Sequence, residues 1–79
     1  MLKNKKDFKY QVVEDIATLS EEGVMSKELK LISFNGAPAK YDIRSWQLKG
    51  DKQIMLKGIA LTIEEAQALK EALNNRTEL

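Results

Sequence analysis

The chain predicts an α+β fold: a four-stranded antiparallel sheet followed by one C-terminal helix, ββββα. Three observations lead there. Four stretches rich in β-branched and aromatic residues are separated by turn chemistry. The apolar period then changes from two to that of a helix after Leu61. Finally, the 79 residues suffice for one small domain, spanning 1–79 with a core over about 8–75.

FKYQVVEDIATL, residues 8–19, reads as a long first strand, and its alternation falters at Val12 and Val13, which predicts a bulge there. SEEG, residues 20–23, is a turn, KELKLISFN, residues 27–35, is the second strand, and NGAP turns the chain again. AKYDIRSW forms the third strand, QLKGD, residues 47–51, a basic loop, and KQIMLKGIAL, residues 52–61, the fourth strand. Thr62 with Glu65 has capping-box spacing, so a helix starts there. Ile63, Ala66, Leu69, Ala72 and Leu73 form its apolar stripe, and Asn74 and Asn75 end it.

One helix covers one face of such a sheet. Strict alternation assigns Leu29, Leu31, Tyr41, Ile43, Ile54 and Leu56 to the helix side. It assigns Lys30, Ile32, Phe34, Lys40, Asp42, Arg44, Trp46, Gln53, Met55 and Lys57 to the other. That second face mixes cations with two aromatic rings and a methionine. Single-stranded nucleic acid needs this mixture, because cations follow its phosphates while unpaired bases stack on rings at roughly 1–3 kcal/mol each. The candidates are Phe34 and Trp46 as stacking surfaces, and Lys30, Lys40, Arg44 and Lys57 at phosphates. Lys52 in the basic loop adds charge, and Met55 is an adaptable filler. A second reading stays open: the two rings cap a second small core or a dimer interface, and the charges only keep the face soluble.

Charge distribution favours a local anionic partner. The net charge is +1, but residues 27–57 alone carry +4 between ends of −1 and −2. The chain has no histidine and no cysteine, which removes the usual general base, the thiolate metal ligand and the disulfide. Ser33 and Ser45 have no histidine to activate them, and no glycine-rich phosphate loop precedes the helix. The expectation is a protein that is not an enzyme and has no cofactor, metal or small-molecule substrate. No apolar run reaches the roughly 20 residues that span a bilayer, and the basic start MLKNKKDF lacks a signal peptide's apolar stretch. A soluble cytoplasmic protein without a membrane partner is expected, nucleoid association being compatible with it.

FNGAPAKYDIRSW, a basic loop and then MLKGIALTIEEAQAL resemble the transcriptional positive cofactor four family, especially its small bacterial members of the YdbC type. The resemblance covers about residues 8–73. KYDIRSW and KGIALT are its most specific pieces, supported by LSEEG and KELKLISFN. It implies a curved sheet, a homodimer, and binding of single-stranded DNA, with RNA as a second ligand, in transcription or single-strand handling. It carries binding roles over to Phe34, Arg44, Trp46 and Lys57. The chain departs from the family at Ile54-Met55-Leu56, where glycine and further basic residues are common; Lys49 and Lys52 in the preceding loop can compensate. A homodimer also suits the size, since so small a domain buries only about 60% of its unfolded surface. The alternative function is a protein–protein interaction module that uses the mixed face and the helix.

Overall fold

A computed structural model describes residues 9–79, so Phe8 and the basic LKNKK start lie outside the described residues. Four strands, β1 (Tyr10–Glu22), β2 (Met25–Phe34), β3 (Lys40–Lys49) and β4 (Lys52–Leu61), precede one helix, α1 (Ile63–Asn74). They form a single antiparallel sheet in the order β1-β2-β3-β4. The ββββα reading holds. The first three strands run further into their turns than alternation suggested, because hairpin pairing continues to Glu22–Met25 and Lys49–Lys52. Gly50 takes a φ of 68° in the two-residue β3–β4 loop, a left-handed conformation that glycine adopts without a steric penalty.

The helix starts as its residues dictate. Thr62 Oγ1 accepts from the Glu65 amide at 3.1 Å, and the Glu65 carboxylate accepts from the Thr62 amide at 2.9 Å. Glu64 and Glu65 also place negative charge on the positive end of the helix dipole. Asn75 caps the other end. Among the described residues, no helix is long and apolar enough to cross a membrane.

β1 carries the main irregularity. Its 13 residues pair with the 10 of β2, and the register slips at Val13, Ile16 and Leu19. The bulge expected at Val12–Val13 is therefore the first of three, spaced three residues apart. Each bulge bends the strand and increases its twist, and together they coil the β1–β2 hairpin over the rest of the sheet. Phe34 and Glu28, the register partner of Arg44, are six residues apart on β2, about 20 Å in a flat strand. Yet the Arg44 guanidinium carbon lies 5.6 Å from the Phe34 ring centroid. Tyr10, opposite Phe34, likewise brings its ring to 6.0 Å from Trp46, whose register partner on β2 is Ser26. The sheet closes on its concave side like an incomplete barrel.

That closure corrects the expected core. The buried residues, Lys30, Ile32, Asp42 and Trp46, all belong to the face expected to be open. The helix side is looser. α1 has no buried residue, and an open groove of about 490 Å³ lies between it and Leu29, Tyr41, Ile43 and Leu61. Leu61 lines that groove where Ile54 and Leu56 were expected. One extra residue in β4 turns Leu61 to the helix side, since Trp46 pairs with Met55 but Arg44 pairs with Gly58, while Ile54, paired with Gln47, keeps that side but lies beyond the residues that line the groove.

Candidate functional site

β3 supplies the floor of the concave face and fixes its charges. Asp42 is fully buried, and both of its oxygens accept from Arg44, from Nε at 2.6 Å and from Nη2 at 2.5 Å. The remaining terminal nitrogen, Nη1, donates to the Leu56 carbonyl at 3.1 Å. A forked guanidinium can satisfy a carboxylate and a carbonyl at once, which an ammonium cannot do with fixed geometry. The Arg44 charge is thus balanced within the fold. Its guanidinium lies over the Phe34 ring.

Lys30 lies similarly inside. Its ammonium donates to Asp15 across the β1–β2 pair, stands 3.9 Å from Glu28, and sits 5.0 Å from the Trp46 ring centroid. Thr18 completes this group by donating to Glu28 at 2.9 Å. Two cations, Lys30 and Arg44, therefore meet three carboxylates, Asp15, Glu28 and Asp42. The centre of the concave face carries no positive surplus for phosphates.

Three of the expected site residues change place as a result. Trp46, expected as an open stacking surface, is 2% exposed, with the Tyr10 ring edge-on at 64° and the Lys30 ammonium beside it. Coiling of β1–β2 covers it. Lys30 is buried by the same coiling and already holds carboxylates. Lys57 is exposed, but the β4 bulge breaks its alternation with Met55 and brings it into phase with Ile59 and Leu61. The open reading that the rings cap a small core therefore describes Trp46.

The other expected residues divide into a middle and two ends. Phe34, Arg44 and Met55 are half-buried, while Lys40 and Lys52 are exposed. Lys40 opens β3 opposite Ile32 on the concave face, whereas Lys52 pairs with the last residue of that strand, Lys49, in phase with Gln47 and Ile54 and so on the helix side. The two lysines are about 30 Å apart along the strand direction. The arrangement is a charge-balanced aromatic middle with lysines towards its ends.

Tyr10 was absent from the sequence-based candidates. It is 38% exposed, stands directly opposite Phe34 and touches Trp46. A regular hairpin with the observed Glu22–Met25 closure would have set Tyr10 opposite Ala37 in the loop; three bulges bring it back to Phe34. The available signal was the recurrence of apolar residues at Val13, Ile16 and Leu19, a period of three inside a strand.

Residues 25–72 match the family model described as Transcriptional Coactivator p15 (PC4). An uncharacterized protein from Treponema pallidum (strain Nichols) is 50% identical over 70 residues, which is 87% of this chain and 80% of that protein.

Proposed function

The chain belongs to the transcriptional coactivator p15 (PC4) family, and on that premise we propose that it is a homodimeric, non-catalytic single-strand-binding protein. Its ligand is single-stranded DNA, with RNA as a second ligand, and its work lies in transcription or the handling of exposed single strands in the cytoplasm. The supporting observation is the Phe34 ring, half-buried and held against Arg44, between strand ends that carry exposed lysines. Bases stack in the charge-balanced middle, phosphates run past Lys40 on the same face, and Lys52 reaches them round the β3–β4 turn. Lys57 reaches them only from the other side of β4, so its contribution is smaller. No cofactor or small-molecule substrate enters this reading.

Anisotropy titration of labelled oligo(dT) and of a duplex of equal length tests it. Tighter binding to the single strand is expected, weakening with salt as counterions are released. Lys40→Ala should flatten the log–log salt slope by about 0.7, the value for one single-strand phosphate, and Lys52→Ala should flatten it by less. Arg44, whose charge Asp42 balances, should not count as a full phosphate contact. Equal affinity for duplex, or unchanged slopes in both lysine variants, would refute the assignment.

The dimer is supported by the helix. Ile63, Leu69 and Leu73 are exposed on α1, and all three line the open groove. A domain this small gains by burying such a stripe against a second copy. Leu69→Glu should shift the mass measured by light scattering from two chains to one. A wild-type protein that is already monomeric at the same concentration would sink the dimer.

A further inference from the structure

The first residue of β1 stands where the coiled hairpin meets the open part of the concave face. Tyr10 and Phe34 are register partners on neighbouring strands, so their Cβ atoms are about 4.5–5.5 Å apart on one face. Phe34 is held from beneath by Arg44 at 5.6 Å. Tyr10 is held by Trp46, whose ring its own meets in an edge-on contact at 6.0 Å. Trp46 is in turn fixed by the Lys30 ammonium and by burial. Each of the two rings thus has its own support within the fold, and more than a third of Tyr10 remains in contact with solvent.

We propose that Tyr10 is a second base-stacking residue beside Phe34, and that Trp46 is a positioning residue that orients it. The inference rests on the single-strand reading above. It moves the tryptophan's expected role to a tyrosine on a different strand, with the indole serving as a backing layer. A ring restricted by packing loses little further freedom when a base arrives, so more of the stacking energy appears as affinity. Stacking also tolerates any base, since every base offers a π-face. The second ring therefore adds affinity without adding sequence preference.

The test compares Tyr10→Leu with Tyr10→Phe in the full chain, titrated with labelled oligo(dT), alongside urea denaturation of each variant. Tyr10→Leu keeps an apolar contact on Trp46 but removes the flat ring, and should weaken binding about tenfold, the factor for one stacked base. Tyr10→Phe keeps the ring and should bind within about twofold of wild type. The salt slope should be the same in both, because no phosphate contact is lost. Wild-type affinity in Tyr10→Leu, or a loss no larger than its loss of folded fraction, would overturn the role of Tyr10 while leaving the single-strand reading intact. Failure of the wild-type chain to bind oligo(dT) would overturn both.

Discussion

Trp46→Ala should destabilise the fold by about 3–5 kcal/mol, the usual cost of emptying a large aromatic site in a core. The indole is one of the largest fully enclosed side chains, and its removal takes away support from both Tyr10 and Lys30. Lys30 would then keep its carboxylate partners but lose the ring beside it. In so small a domain that loss is a large share of the total stability. Urea denaturation followed by far-ultraviolet circular dichroism measures it, since the variant has no tryptophan to report by fluorescence. Trp46→Phe should cost less, because it fills much of the site and also removes the indole Nε1–H, a buried donor without a hydrogen-bond partner among the described residues. A Trp46→Ala protein with a wild-type urea midpoint but lost oligo(dT) affinity would reverse this picture. It would return the indole to the role of a contact residue.

The second large effect is expected at Gly58, which shows no unusual backbone angle and owes its identity to space. A Cβ built there falls onto Arg44 Cβ and lies 2.5 Å from both Arg44 Cα and the Ile43 carbonyl oxygen. The obstacle is the neighbouring strand's backbone and its first side-chain carbon, which cannot swing aside. Gly58→Ala must therefore push β4 from β3 at the pair that holds Arg44, and should cost about 3 kcal/mol or more. The same displacement draws the Leu56 carbonyl away from the guanidinium, so Phe34 loses its support as well. A lowered urea midpoint with an unchanged denaturant slope is the expected result. An unchanged midpoint would mean that the two strands do not approach as closely as described.

Much of the architecture was legible because its signals are local. Turn residues, a period of two and the Thr62–Glu65 box suffice for four strands and a helix, and β4 begins and ends where its residues predicted. Curvature is not local. Whether Trp46 lies open or enclosed depends on how far the β1–β2 hairpin coils, which in turn depends on bulges whose effects add along β1. One bulge was visible in the doubled valine; the other two, at Ile16 and Leu19, are marked only by the three-residue apolar recurrence that starts at Val13. The same limit applies to Lys57: strict alternation sets it beside Arg44, and a single extra residue in β4 sets Gly58 there instead. The family resemblance, which implied a curved sheet, pointed to the right architecture. It could not say on which side of the curve each ring would end.

The three slips in β1 also bear on how the molecule avoids its own kind. An open four-stranded sheet has two outer strands whose unpaired amides and carbonyls can recruit another chain, the first step towards fibrous aggregation. Along Val12–Ser20 of β1, no more than two consecutive residues keep regular register before the next slip, so this border offers no long straight template. Val13, Ile16 and Leu19 are exposed there and would otherwise make it adhesive. On the opposite border, β4 has its own slip and carries charge at Lys52 and Lys57. The irregularity that encloses the tryptophan thereby also makes the β1 border a poor template for a continuous sheet.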